Sequence, residues 1–186
     1  MSAIREKLLE ASYFYQKVKD CFSGKLHQEM QFNLNAFISA VRSITWVMKN
    51  EFLKYDGFTE WFEEAKQKYM NKNAFQNLNE LRITSEKKKS IRPMYVQTVR
   101  FKEPVNINSE QSLEIFTNCE ERVSAAIYSN NNESIKLNGD QFNVNLSCRF
   151  EEIPNEDLFK FCEQYLESSQ KMVEECEKKF KQKTPT

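Results

Sequence analysis

The stretch Asn155–Lys183, NEDLFKFCEQYLESSQKMVEECEKKFKQK, decides how the rest of the chain must be arranged. Leu158, Phe161, Cys162, Tyr165, Leu166, Met172, Val173, Cys176 and Phe180 recur at helical spacing and mark one apolar seam. Pro154 and Asn155 read as the opening of this helix. Acids follow at its start, and Lys178, Lys179, Lys181 and Lys183 stand at its end, both in keeping with the helix dipole. A seam of that length must be covered. The expectation is that this helix returns to the helices of the bundle upstream.

The partners are legible at the other end. Residues 1–22 carry Ile4, Leu8, Ala11, Tyr15, Val18 and Phe22 on one face, and Ser23-Gly24 breaks the pattern. Residues 26–54 place Met30, Leu34, Phe37, Ile38, Val41, Thr45, Met48 and Phe52 on a common face. Phe32, Ile44, Trp46 and Val47 widen that arc, so the second helix is expected at the centre, with Trp46, Trp61 and Phe62 in the core. Thr59 is placed to cap a third helix bearing Phe58, Trp61, Phe62, Ala65 and Tyr69. Asn73 is placed to cap a fourth bearing Phe75, Leu78 and Arg82. Helices joined by short breaks imply an antiparallel bundle.

Between the fourth and last helices the periodicity changes. Pro93 stops the helix, 94–101 is β-branched and aromatic, 111–118 is ambiguous, and 122–128 and 134–137 suit strands. Asn130 to Asn132 is a turn signal, and Asn138-Gly139 is a strong hairpin signal. After it, Phe142, Val144, Leu146, Cys148 and Phe150 alternate with Asn143, Asn145, Ser147 and Arg149. The expectation is a mainly α (α+β) fold: an antiparallel bundle of about five helices with a small antiparallel β-sheet inserted before the last helix. The domain reading is one unit over 1–186, with bundle segments 1–92 and 152–183 and a β insertion at 94–150.

Composition narrows the chemistry. The chain has 186 residues, with 27 basic and 27 acidic side chains and no net charge, so it lacks the basic excess of an extensive nucleic-acid footprint. Three glycines and the absence of Gly-rich phosphate loops exclude P-loop and Rossmann readings. No run of about 18 apolar residues is present, and the N-terminal residues lack the apolar stretch of a signal peptide, so the expectation is a cytoplasmic protein without a membrane partner. Five cysteines without a CxxC suit buried thiols in a reducing compartment. His27 is the only histidine, in a polar helix entry where a surface role is expected. No metal site and no cofactor are expected.

The stretch Asn79–Ser90, NELRITSEKKKS, holds the candidate site. Phe75, Leu78 and Arg82 share a helical face, so Arg82 is expected to turn inward, with Glu86 one turn on as its partner and Ser85 beside it. Lys87, Lys88, Lys89 and Arg92 follow as a basic end, expected to be solvated or to bind an anion. On the second helix Arg42 lies at the core edge. It is read as an interhelix ion pair, with Glu80 or Glu86 as partner, or as part of a polar cluster with Arg82. The Asn-rich face of the strand at 141–150 is a candidate surface for a protein partner.

The segments NLNAFISAVRSITWVMKNEF (33–52), FTEWFEEAKQKYMNKNAFQNLNELR (58–82) and CRFEEIPNEDLFKFCEQYLE (148–167) resemble those of bacterial proteins of the HEPN superfamily (higher eukaryotes and prokaryotes nucleotide-binding). Active members carry an arginine followed by a polar residue and then a histidine, and these residues of two protomers meet to cleave RNA. By that resemblance Arg82 takes the arginine position. The following residue is Ile83, however, and Glu86, Lys87 and Lys88 stand where the histidine would fall. The resemblance therefore implies a HEPN-like homodimer acting as a catalytically degenerate binding or regulatory module for RNA or protein. The alternative it implies is a metal-independent ribonuclease of defence or toxin type, with a site remodelled around Arg82 and Glu86.

Overall fold

A computed structural model describes residues 2–70, 72–103, 105, 111–117, 123–129, 134–137 and 141–181. Within them lie five helices, α1 (Ala3–Ser23), α2 (His27–Phe52), α3 (Phe58–Tyr69), α4 (Lys72–Lys87) and α5 (Leu158–Phe180). Five strands stand between α4 and α5: β1 (Pro93–Phe101), β2 (Gln111–Thr117), β3 (Val123–Ser129), β4 (Ser134–Leu137) and β5 (Phe142–Phe150). The fold is mainly α with an antiparallel β element before the last helix, as the sequence led us to expect. By its contacts the chain divides into two compact units, Met1–Met94 with Cys148–Thr186, and Tyr95–Ser147.

In the helical unit, α2 packs against α1, α4 and α5, and α5 packs against α1, α2 and α3. The α5 seam is buried at every expected position except Leu166, which is half-buried. At its C-terminal end Phe180 is fully buried among Phe58 and Trp61, both edge-to-face at 5.5 and 5.4 Å, with Phe52 and Tyr55 beyond at 6.5 and 6.3 Å. Near its other end, Phe159 meets Phe22 at 4.9 Å and its carbonyl accepts a hydrogen bond from Tyr15 Oη. The helix is thus fixed along its length to three others. Burying one such aromatic contributes roughly 1.5–3 kcal/mol.

Three carboxylates, Glu177, Glu51 and Glu175, tie the helices to one another. Ser2 precedes α1 but does not use its hydroxyl as a cap; that hydroxyl donates to Glu177 Oε1 at 2.9 Å. Arg5 donates to Glu177 Oε2 at 2.7 Å through Nε, and Lys181 Nζ donates to Oε1 at 2.6 Å. Glu51 of α2 accepts the otherwise unpaired backbone N–H of Ile4 at 3.2 Å. On the opposite side Glu175 accepts from Trp61 Nε1 and Lys68 Nζ, both at 2.8 Å, and from Tyr69 Oη, which ties α3 to α5.

Several local expectations change. Helix α3 starts at Phe58, with Gly57 at its N-cap in the left-handed region (φ 73°), so Thr59 is already helical and does not cap it. A positive φ is open to glycine at little cost. The cap of α5 is Asp157, which accepts from Lys160 N at 2.9 Å, and Pro154 and Asn155 lie ahead of the helix. On α2, Trp46 and Phe32 are 64% and 59% exposed, whereas Trp61 and Phe62 are buried. The wide arc of α2 exceeds what its three neighbours cover. The expected cap Asn73 and core Phe75 lie where side chains fall outside the described residues; α4 itself begins one position earlier, at Lys72.

The strands also differ from a single sheet. β1 pairs with β5 in one sheet and β2-β3-β4 form another. The second is antiparallel, with Ile115 opposite Ala125 and Ile127 opposite Ile135. The strands flanking Asn138-Gly139 therefore pair with other strands and not with each other; the two residues themselves, like Asn130 to Asn132, lie outside the described residues. Length explains the partner choice: β5 and β1 have nine residues each, while β4 has four. A nine-residue strand satisfies far more ladder hydrogen bonds against its equal.

Burial alone would raise the Glu177 carboxyl, but hydrogen bonds from Arg5, Lys181 and Ser2 outweigh it and hold the group at about 2. A lowered carboxyl stabilises the fold above the unfolded value near 4.5 and loses that contribution as pH falls toward 2. Glu177→Gln is expected to lower unfolding free energy by about 2–3 kcal/mol at pH 7, with the gap from wild type closing between pH 4.5 and 2. Urea denaturation across that range checks it.

Candidate functional site

Helix α4 is positioned by one side chain of α2. Asn35 Oδ1 accepts from Ser85 Oγ at 2.6 Å and from Ile91 N at 2.9 Å, and Asn35 Nδ2 donates to Ile91 O at 3.0 Å. Leu78, Leu81 and Ile91 are buried around this clamp. The inner stripe of α4 is thus Leu78, Leu81 and Ser85, at i, i+3 and i+7. This corrects the expectation that Arg82 and Glu86 face inward. Arg82 lies about 100° around the helix from Leu81, at the stripe's edge, and both Arg82 and Glu86 side chains are 40% exposed.

From that edge Arg82 reaches a cleft that it lines together with Arg42, Ser43 and Trp46 of α2. Moving along α2 from Asn35 to Arg42 corresponds to moving back along α4 from Ser85 to Arg82, so the two helices run antiparallel here. The cleft encloses about 190 Å³. Arg42 is half-buried and its Nη1 donates to Thr45 Oγ1 at 2.8 Å. Arg82 Nε donates to Glu86 Oε1 at 2.9 Å. Ser43 Oγ donates back to Ser39 O at 2.8 Å, so its hydroxyl can act on a ligand only as an acceptor. Two guanidinium groups bring forked donors to the cleft, a geometry that suits phosphate or carboxylate ligands.

The grouping of Arg42 with Arg82 is one of the two alternatives the sequence offered. Ser43 and Trp46 were not among the expected site residues. Their signal is spacing: Arg42, Ser43 and Trp46 stand at i, i+1 and i+4, so all three rise from adjacent turns of one helix surface.

The basic end does not act as a unit. Lys87 closes α4 and is exposed, as is Lys88. The backbone N–H groups of Lys88 and Lys89 both donate to Thr84 O, ending the helix. Lys89 Nζ lies 3.3 Å from Glu151 and 3.4 Å from Glu152. Arg92 is exposed, and its carbonyl accepts from Glu151 N. Lys87, Lys88, Lys89 and Arg92 are not among the residues lining the Arg42–Arg82 cleft.

Other chemistry is placed as follows. His27 is exposed in the first turn of α2, about 22 Å along the helix from Arg42. Cys21, Cys148, Cys162 and Cys176 are free and buried; Cys119 lies outside the described residues. Burial pushes Cys148 and Cys176 up to about 12 and holds Cys162 well above the ordinary thiol value, which disfavours the reactive thiolate. Among the described residues no group of three His, Cys, Asp or Glu side chains is set to hold a metal ion, and no helix is long and apolar enough to cross a membrane.

Compared with known proteins, the chain matches no family model, no curated protein and no solved structure.

Two substitutions separate site from scaffold. Arg82→Ala removes an exposed i,i+4 ion pair worth ~0.5 kcal/mol or less, so Tm is expected to stay within about 2 °C. Asn35→Ala strands the buried Ile91 N–H and is expected to cost about 2 kcal/mol, with faster hydrogen exchange at Ile91. Calorimetry and exchange NMR read both.

Proposed function

We propose that this chain is a HEPN-like helical module that binds RNA phosphate without cleaving it, using Arg42 and Arg82 as the anchoring cations. The observation that carries the reading is the convergence of these two arginines, from separate helices, on one cleft. A guanidinium fork matches phosphate oxygens bidentately, and two forks on a rigid helix pair fix the register of a phosphate. The exposed Lys87 and Lys88 supply additional charge near the end of α4 without base discrimination.

The catalytic alternative lacks a counterpart to the motif histidine. Ile83 follows Arg82, His27 stands far along α2, and Glu86 is already the acceptor of the Arg82 hydrogen bond. A base in a transesterification must reach the 2′-hydroxyl of the substrate, and a carboxylate held against the anchoring arginine serves the ion pair instead.

The homodimer is part of the same proposal. It comes from the resemblance and is supported by Leu9 and Tyr13, one turn apart on α1 and 55% and 58% exposed, apolar surface of a kind that association covers. A cytoplasmic setting belongs to the proposal as well, supported by four free buried thiols.

The test is titration of labelled RNA at several salt concentrations. Arg42→Ala and Arg82→Ala are each expected to weaken binding about tenfold or more and to reduce the salt slope by ~1, with the RNA intact on a gel. Cleavage that disappears in both Arg82→Ala and Glu86→Gln would replace this reading with the ribonuclease alternative. Sedimentation equilibrium showing a strict monomer at high concentration would remove the dimer.

A further inference from the structure

Trp46 is the side chain whose placement the anion reading does not use. It is 64% exposed, while the chain's other tryptophan, Trp61, is 4% exposed and donates to Glu175. A large flat apolar face left in water is informative when it borders a charged cleft, and Trp46 lines the same cleft as Arg42, Ser43 and Arg82. Arg42 precedes it by one helical turn, so charge and ring share one surface of α2.

An inorganic anion would use the arginines and leave the indole idle. An apolar ligand would use the indole and make no use of the two guanidinium forks. A ligand carrying both a phosphate and a planar ring uses both. Resting on the phosphate-binding reading above, we infer that the cleft takes one unpaired nucleotide, its phosphate on Arg42 and Arg82 and its base stacked on Trp46. In a duplex the base faces are covered by neighbouring pairs and only edges are offered, so a single indole beside two phosphate anchors selects an unstacked base. The cleft is small, about 190 Å³, beside a full ligand pocket, so the inference places only the phosphate end of the nucleotide in it, with the base against the exposed ring. Ser43 Oγ, its proton engaged by Ser39 O, presents an acceptor to a donor on the sugar or base. The ligand class is a nucleoside phosphate, free or within a single strand.

The experiment uses the full chain and a labelled oligoadenylate of about 8 nucleotides. It is compared with the same strand annealed to its complement, an abasic strand of equal length, and adenosine monophosphate as competitor. The single strand is expected to bind roughly 5- to 100-fold tighter than the abasic strand, the range that one stacked base supplies, and tighter than the duplex. Trp46→Ala should erase that preference, and Trp46→Phe should restore most of it. The single strand, and not the abasic one, should quench tryptophan emission in wild type but not in Trp46→Phe. Competition by the mononucleotide at comparable affinity identifies the free nucleotide as the source; competition by the strand alone identifies single-stranded nucleic acid. If Trp46→Ala binds the oligoadenylate as wild type does while Arg82→Ala weakens it, the stacking inference is overturned and the phosphate reading stands. If Arg82→Ala leaves even the abasic strand unaffected, both fall.

Discussion

The bundle depends on the closure of its last helix onto its first three, and that closure is made by an aromatic ring and a carboxylate at one end of α5. Phe180 sits in a cage drawn from α2, α3 and their connection, and Glu177 one turn earlier takes donors from Ser2, Arg5 and Lys181. The seam reaches its partners across the β unit of Tyr95–Ser147. The entropic cost of a connection grows only by about 0.6 kcal/mol for each doubling of its length, less than the roughly 1.5–3 kcal/mol gained by burying one Phe. A β insertion of this size is therefore compatible with a bundle whose last helix is as apolar on one face as α5. The burial is also specific. An edge-to-face ring at 5.4 Å from Trp61 fixes α3, and Trp61 in turn reaches Glu175 through its indole N–H. Burial, ring geometry and a charged hydrogen bond thus set the same helix pair.

The amphipathic seams of α1 and α5 were legible because each has one covered face and the period is read along a single helix. The α2 pattern was legible as apolar but not in its phase. A helix with neighbours on three sides carries an arc so broad that the sequence does not distinguish its covered part from its open part. Phe32 and Trp46 fall in the open part. The α4 phase was misjudged for a related reason. Leu81 next to Arg82 allowed two stripes, and the choice between them is made by Asn35, a residue of another helix. Strand existence was legible from alternation, and strand pairing was not. Asn138-Gly139 is a local signal, whereas the pairing of β5 with β1 is set by matched length over a separation that no local rule sees. Helix caps follow the same division, with Gly57 chosen for a backbone angle and Asp157 for one hydrogen bond.

The candidate site shows how a tertiary clamp turns separate residues into one cleft. Arg42 and Arg82 stand forty positions apart in the sequence, and their convergence follows from the register that Asn35 sets between α2 and α4. Ser43 and Trp46 then enter the site by helical spacing alone. The basic run from Lys87 to Lys89, the more conspicuous feature of the sequence, is the less organised one: Lys89 is paired with Glu151 and Glu152, and the other two project from a helix end.

The Arg82–Glu86 pair decides what such a cleft can do. At 2.9 Å with both partners 40% exposed, it is an ion pair of the kind worth ~0.5 kcal/mol or less. It holds the guanidinium in one orientation, yet it is weak enough that a ligand phosphate can take over part of the fork at little cost. Under the proposed phosphate reading, a charge-assisted hydrogen bond worth roughly 1.5–3 kcal/mol would favour exchange onto the ligand, with Arg42 as a second donor. A buried pair in the same place would have resisted exchange, since separating it leaves an uncompensated charge. An Arg82 without Glu86 would sample many rotamers and lose more freedom on binding. The intermediate exposure that overturns the inward reading of Arg82 is therefore the property on which the proposed exchange with an anion depends.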